Sequence, residues 1–190
     1  MDILTLFFGK NDKALKYMHK RYGKKFGDEF TIVNAEYAGL MSRGDTFFME
    51  SKRFPGFTVI VERLGGKYYD SYMELHFYKQ YQEYMQPIVE EILGECKVFL
   101  DFSMQATDTL NQNTTFEEYM RKSGETKYTK IIVPDDSNMK EKLEKLGERL
   151  KELQLPDFSI SVRVAEDYEK LSQMENMLEV SLYEDSQRMS

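Results

Sequence analysis

The sequence predicts an α+β protein whose two mixed halves follow the orders α-β-β-β-α-β and α-β-α-β-α-β, with a long central helix packed on a sheet. The first observation is segment 68–93, in which apolar residues recur at three- and four-residue steps. Short alternating segments lie on both sides of it, and a polar segment at 105–115 separates the halves. A helix with such a stripe must bury it against another element, which the predicted strands provide. The stripe consists of Met73, Phe77, Tyr81, Tyr84, Met85, Ile88 and Ile92.

A first helix is predicted from Lys13 to Phe26, with Asn11 and Asp12 as caps and Gly27 at its end. The preceding apolar run, 3–8, is too short to cross a bilayer and has no positive residue before it. As written it is therefore not a signal peptide. We expect an edge strand or an ordered tail there, the alternative being the remnant of a longer leader.

The strands of the first half are predicted from alternation and from turn residues. The Phe-Pro-Gly sequence at 54–56 is a strong turn signal. Phe57, Val59 and Val61 alternate with more polar residues, so one face of that strand is expected to be buried. Gly65-Gly66 breaks the strand before the long helix. The predicted strands are 30–33, 46–50, 57–63 and 97–102.

The polar segment 105–115 is the predicted linker, which places the two halves at 1–104 and 116–190, with one continuous domain as the alternative. Thr115 and Glu118 have the spacing of a capping box at the start of a short helix. The strand–helix–strand run that follows is long enough for a right-handed crossover between parallel strands. The predicted elements are strand 127–133, helix 137–153, strand 158–164, helix 166–172 and strand 178–182.

Composition excludes several classes of protein. The 190 residues, 41% apolar and 31% charged, are typical of a folded protein with a proper core. The formal charge of −7 argues against a general nucleic-acid binder. The single cysteine excludes an internal disulfide framework and a multi-cysteine zinc site. We therefore expect no cofactor and no metal.

The sequence contains no match to a catalytic motif that is better than expected by chance. His76 has no acidic or histidine partner three or four residues away, and His19 lies among lysines, so neither is a good metal ligand. Cys96 would be a nucleophile only if the fold placed a histidine beside it, and a buried inert thiol is the commoner case. The sequence has neither a phosphate-binding glycine loop nor a Gly-x-Ser-x-Gly elbow. We therefore favour a protein that is not an enzyme.

The candidate binding residues are Tyr68, Tyr69, Asp70 and Tyr72, at the start of the central helix. Asp70 is a plausible N-cap, because a carboxylate there accepts backbone N–H groups and meets the positive end of the helix dipole. The tyrosines could line a cleft beside it. Capping and packing alone would account for the same residues.

Charge is unevenly distributed along the chain. The first helix is ringed by cations, which we interpret as a solvated face, the alternative being contact with a nucleic acid or an anionic membrane. These are Lys10, Lys13, Lys16, Lys20, Arg21, Lys24 and Lys25. From Glu166 onward the chain contains seven acidic residues and only two basic ones. This excess of negative charge could steer a basic partner.

Two segments resemble a known group of proteins. Ala14-Leu15-Lys16-Tyr17-Met18 through Lys20-Arg21-Tyr22-Gly23-Lys24-Lys25-Phe26 is similar to the pattern ALxYxxxKYGxxF. Asp70-Ser71-Tyr72, preceded by the turn at 54–56, fits the same group. These features resemble small proteins of Gram-positive bacteria that contain a domain of unknown function and are often lipoprotein-like. The chain departs from the group in having no cysteine near Gly9 to accept a lipid.

These observations favour a non-catalytic binding or protein-interaction module. Association of this module with the cell envelope is left open. The first alternative is an acidic cytosolic protein of the immunity type that binds a basic partner, and the second is a small hydrolase. We expect a protein partner, no nucleic acid and no transmembrane segment. The chain is expected either in the cytoplasm or exported, with its leader absent from this sequence.

Overall fold

The computed structural model describes residues 3–38, 44–101, 107–122, 126–135, 137–155 and 158–174, and the fold is α+β. Tertiary contacts divide the chain into two compact units, which consist of residues 1–76 with 102–114 and of residues 77–101 with 115–190. The boundaries predicted from the sequence, 1–104 and 116–190, remain a prediction.

The first unit contains a helical segment and a four-stranded antiparallel sheet in the order β1-β2-β3-β4. The sheet buries Phe47, Met49, Val59 and Val61, as the alternation predicted for the last two. The elements are α1 (Ile3–Met18), a π turn (His19–Gly23), α2 (Lys24–Phe26), β1 (Phe30–Glu36), β2 (Gly44–Ser51), β3 (Thr58–Leu64) and β4 (Lys67–Asp70).

The first helix is longer than predicted. It begins at Ile3, so the expectation of a strand or tail at 3–8 is wrong. A short apolar run fits a helix as well as a strand, and periodicity over six residues cannot separate them. The helical path continues to Phe26, and Gly27, with φ 65°, ends it in the left-handed conformation as expected.

Strand β4 was not predicted. Residues 68–70 were expected to begin the central helix, but they pair with β3 instead. Gly65 and Gly66 have φ values of 55° and 86°, which a two-residue hairpin turn of the primed type requires. The first half therefore has four strands before the long helix, and the predicted order α-β-β-β-α-β is one strand short.

The second unit contains a three-stranded sheet in the order β5-β6-β7, in which β5–β6 is antiparallel and β6–β7 parallel. The parallel pairing predicted for this strand–helix–strand run is confirmed, as is the capping box at Thr115 and Glu118. The elements are β5 (Lys97–Leu100), α4 (Phe116–Arg121), β6 (Lys127–Val133), α5 (Met139–Glu152), β7 (Phe158–Val164) and α6 (Tyr168–Leu171). The predicted strand at 178–182 lies outside the described residues.

The long helix, α3 (Tyr72–Leu93), begins in the first unit and belongs to the second from Phe77 onward. Burial of the predicted stripe is confirmed for Phe77, Tyr81 and Met85, which are at most 3% exposed. Tyr84 is 37% exposed, so its assignment to the stripe is wrong. The buried row instead continues in steps of four through Val89 and Leu93. None of the described helices combines the length and the apolar character needed to cross a bilayer.

Candidate functional site

Asp70, the centre of the predicted site, is the last residue of β4 and is 2% exposed. Tyr17 Oη donates to its Oδ2 at 2.6 Å, and Tyr22 Oη donates to its Oδ1 at 2.9 Å. The backbone N–H of Tyr72, the first residue of α3, donates to the same Oδ1 at 3.1 Å. Arg21 Nε lies 3.5 Å from Oδ2. The carboxylate thus accepts an N–H group at the start of the helix, and it also binds three side chains of the first helical segment.

Aromatic stacking surrounds this carboxylate. The ring of Tyr17 stacks on Tyr68 at a centroid distance of 4.8 Å, and Tyr22 stacks on Tyr72 at 4.2 Å. The guanidinium of Arg21 lies 5.4 Å from the Tyr17 ring and 5.5 Å from the Tyr22 ring. Burial, together with the charge of Asp70, raises the pKa of both phenols above the ordinary tyrosine value. Tyr17 and Tyr22 therefore stay protonated and act as hydrogen-bond donors.

Burial raises the pKa of Asp70 above its usual range, against the hydrogen bonds and the nearby Arg21, which lower it. Both carboxylate oxygens already accept hydrogen bonds within the protein. A role for Tyr68, Tyr69, Asp70 and Tyr72 in binding a ligand stays a prediction. The contacts of Asp70 and Tyr72 support a structural role for those two residues.

A second buried carboxylate, which the sequence analysis missed, holds the other end of Tyr72. Asp28 is 3% exposed, and its Oδ2 accepts from Ser51 Oγ at 2.5 Å and from Tyr72 Oη at 2.9 Å. Its Oδ1 accepts from the backbone N–H groups of Glu29 and Arg53, at 2.8 and 3.2 Å. Tyr72 is therefore fixed between two carboxylates. The sequence carries no local pattern that marks Asp28 for this role.

Cys96 is buried at the start of the second unit's sheet. Burial, with a smaller contribution from Glu90, raises the pKa of its thiol to about 12, so it is protonated at neutral pH. Gln86 Nε2 lies 3.8 Å from its Sγ. Among the described residues, no three histidine, cysteine or acidic side chains are grouped as metal ligands would be. In the first unit, His76 packs on Phe26 with a centroid distance of 4.8 Å.

Two glutamines of α3 close the outer edge of β5. Gln86 Nε2 donates to the carbonyl of Cys96 at 2.7 Å, and its Oε1 accepts the N–H of Val98 at 2.9 Å. Gln82 Nε2 donates to the carbonyl of Val98 at 3.0 Å. The side-chain amides thus bind backbone groups that a neighbouring strand would otherwise bind. A cleft of about 260 Å³ lies against these residues.

The structure divides the seven cations of the first helix into two groups. Three are held by the protein: Lys10 by Asp45 at 2.8 Å, Arg21 by Asp70 and the carbonyl of Leu110, and Lys25 by Asn113 Oδ1 at 3.0 Å. The other four are exposed and form no ion pair or hydrogen bond with the described residues. They are Lys13, Lys16, Lys20 and Lys24.

Three of these free lysines surround a depression of about 490 Å³, which we call the lysine lobe. Its lining consists of Lys16, His19, Lys20, Gly23, Lys24 and Asp28. In an α-helix, residues four apart differ by about 40° beyond a full turn. A π turn, His19–Gly23, lies between Lys16 and Lys24. At Gly23, a Cβ atom would lie 3.2 Å from His19 Nδ1 and 3.3 Å from the Asp28 carbonyl oxygen, so a side chain there would crowd the lobe.

Comparison with known proteins adds a structural likeness. No protein-family model matches the chain, and no curated protein matches its sequence at a significant level. Among solved structures, the chain is similar to a DUF5037 family protein from Ruminococcus gnavus ATCC 29149, with 12% sequence identity and a TM-score of 0.44. The likeness covers 87% of this chain and 81% of that chain. At this identity and score it does not bear on ligand or activity.

Proposed function

We propose that the protein is a non-catalytic binding module that takes an anionic ligand in the lysine lobe. The observation that carries this proposal is a set of three ammonium groups around one depression, none of which forms an ion pair within the part of the chain that the structure describes: Lys16, Lys20 and Lys24. Like charges four residues apart on a helix repel one another, and a bound anion would relieve that repulsion.

The acidic side chain at the lobe forms no ion pair with these lysines among the described residues. Asp28 lines the depression, but both of its oxygens already accept hydrogen bonds from Ser51, Tyr72 and two backbone amides. In a chain with a formal charge of −7, a local group of cations without acidic partners is unexpected on composition alone. The three ammonium groups are therefore available to an anionic ligand.

The buried cluster around Asp70 supports the proposal by fixing the helix that carries the lobe. Tyr17, Arg21 and Tyr22 bind Asp70 on the inner face of the same helical segment. This bonding resists rotation of the segment and keeps Lys16, Lys20 and Lys24 outward. The residues predicted to bind ligand would then position the surface that binds it.

We propose a protein without catalytic activity because its buried carboxylates and its thiol are poorly placed to react. The carboxylates of Asp28 and Asp70 are consumed by internal hydrogen bonds, and the raised pKa of Cys96 keeps its thiol from acting as a nucleophile. These facts disfavour the small-hydrolase alternative. The immunity-type alternative depends largely on acidic residues beyond 174, outside the described residues. The proposal leaves open whether the protein is associated with the cell envelope.

The test is a titration with inorganic pyrophosphate, followed by calorimetry and by backbone amide NMR shifts. We expect saturable binding that weakens as salt rises, with the largest shifts around residues 16–28. The triple variant Lys16→Gln, Lys20→Gln, Lys24→Gln should lose about tenfold or more in affinity.

The matched control replaces three exposed lysines elsewhere, Lys67, Lys140 and Lys151, by glutamine. It changes the net charge by the same amount and should leave the affinity within about twofold of the wild-type value. Equal loss in both triple variants would mean that total charge, and not this lobe, governs binding. Absence of saturable binding would refute the proposed function.

A further inference from the structure

A second depression lies in the first unit and shares His19 with the lysine lobe. Its volume is also about 490 Å³. Its lining includes His19, Glu29, Phe30, Glu50, Phe54 and Pro55, and we call it the ring lobe. Each volume falls within the range of small-molecule sites in proteins. Because one imidazole lines both depressions, a single ligand can contact both.

The lining of the ring lobe contains aromatic and proline side chains. The His19 ring meets Phe30 edge-on, with centroids 5.5 Å apart and an interplanar angle of 71°. The lining also includes Phe54 and Pro55, which belong to a tight turn in which the N–H of Phe57 donates to the carbonyl of Phe54 at 3.1 Å. Aromatic and proline faces of this kind accept a planar ring by stacking, whatever its exact identity.

The two lobes differ in their balance of charge. The lysine lobe has three ammonium groups and one carboxylate, Asp28, in its lining, whereas the ring lobe has two exposed carboxylates, Glu29 and Glu50, and one ammonium group, Lys52. Glu29 is paired with Lys52 at 2.7 Å, which leaves Glu50 as the carboxylate without a salt bridge among the described residues. A carboxylate repels a second phosphate but accepts hydrogen bonds from amino or hydroxyl groups. The ligand therefore has an anionic end and a neutral, donor-bearing ring.

We infer that the two lobes form one site for a phosphorylated ring compound of the nucleoside monophosphate class, with the phosphate on the lysines and the base between His19 and Phe54. This inference rests on the proposed function, because it places the anion in the lysine lobe. It adds the chemical class of the ligand and its orientation.

The test compares four probes by calorimetry: inorganic phosphate, ribose 5-phosphate, adenosine and adenosine 5′-monophosphate. Stacking of the base should make the nucleotide bind about tenfold tighter than ribose 5-phosphate. Loss of the phosphate should weaken adenosine by about tenfold or more relative to the nucleotide. In NMR spectra the nucleotide, but not inorganic phosphate, should shift the ring protons of Phe54, which lines the ring lobe and not the lysine lobe.

Two variants separate the lobes. Phe54→Leu keeps an apolar side chain but removes the aromatic face, and it should weaken the nucleotide about threefold to tenfold while leaving inorganic phosphate unchanged. Glu50→Gln should weaken the nucleotide and not phosphate, whereas Glu36→Gln, an exposed residue of β1, should change neither. The ring-proton shifts of the wild-type protein provide a second reading that does not depend on how a variant folds.

The outcomes distinguish the two proposals. If phosphate binds at the lysines and the nucleotide binds no tighter than ribose 5-phosphate, the two-lobed site is refuted and anion binding stands. If adenosine binds as tightly as the nucleotide, or if no probe binds, both proposals fail.

Discussion

The phenol of Tyr22 donates a hydrogen bond of 2.9 Å to Asp70 Oδ1, and this bond joins the π turn of the first helical segment to the end of β4. Both residues are almost fully buried, so the bond is made away from water. A buried phenol and a buried carboxylate each depend on the other as partner. This hydrogen bond therefore fixes the helix that carries the exposed lysines against the end of β4.

Asp70→Ala should destabilise the protein by about 3 kcal/mol, because it leaves the phenols of Tyr17 and Tyr22 and the guanidinium of Arg21 without their shared acceptor. The measurement is urea denaturation followed by circular dichroism. Asp12→Asn, at an exposed position, should stay within about 0.5 kcal/mol of the wild-type value. A loss for Asp70→Ala no larger than that of Asp12→Asn would mean that the cluster does not support the fold.

Gln86→Leu should cost about 2 kcal/mol, because the N–H of Val98 and the carbonyl of Cys96 lose their partner at buried positions. Amide hydrogen exchange at Val98 should accelerate in the same variant. Gln173→Leu, at an exposed position, is the control and should leave both readings unchanged. Normal protection of Val98 in Gln86→Leu would argue against closure of the strand edge by this side chain.

Gly147→Ala and Gly23→Ala should have opposite effects. Gly147 lies in α5 with open space where a Cβ would be, so alanine there should stabilise the protein by about 0.5–1 kcal/mol. At Gly23 the Cβ would crowd His19 and the Asp28 carbonyl, so the same change should give no gain or a loss. Thermal unfolding of the two variants checks both, and an equal gain would contradict the close approach at Gly23.

The Cys96 thiol should react slowly with a disulfide reagent in the native protein at pH 8 and rapidly in urea. Its pKa is raised to about 12 by burial, so the thiolate that reacts is scarce in the folded state. The measurement is the release of the coloured thiol product with time. Fast reaction without denaturant would indicate an accessible thiol and would revive the hydrolase alternative.

Stability should fall steeply in alkali because of the buried tyrosines. Burial raises the pKa of Tyr22 and Tyr81 above their ordinary value of 10.0. The folded state therefore retains protons that the unfolded state releases, and stability is full below about pH 10 and declines as the pH rises toward the raised folded pKa. Between these two pH values, each such group lowers the free energy of unfolding by about 1.4 kcal/mol per pH unit.

The check is denaturant unfolding at several alkaline pH values, together with tyrosinate absorbance. Tyr81→Phe, at a fully buried position, should reduce the slope by the share of one group. Tyrosinate absorbance that rises fully before unfolding would contradict the raised pKa values.

Local features of the sequence predicted the regular parts of the fold well. The strand at 158–164 and the capping box at Thr115 and Glu118 match the structure, because alternation and capping depend on neighbouring residues. Strand β4 was missed although Gly65-Gly66 is a hairpin signal, since the tyrosines that follow also fit the start of a helix.

The candidate site could be predicted only in part. Asp70 was recognised from its position before the long helix, but its partners Tyr17 and Tyr22 come from a segment some fifty residues earlier in the chain. The π turn has no local sequence pattern that we can identify, and it coincides with the segment tied to Asp70. Pairings across such distances are set by tertiary structure, which a single sequence does not reveal.

The parallel pairing of β6 with β7 has a consequence for the order of folding. Lys127 lies opposite Phe158 and Val133 opposite Val164, with α5 between the strands, so this ladder cannot grow from a tight turn. The hairpin of β3 and β4 needs only two glycines to close, on a timescale of about 1–10 μs. The second sheet can form only after the longer segment between β6 and β7 has closed. We therefore expect the pairing of β7 with β6 to be the slowest step of refolding.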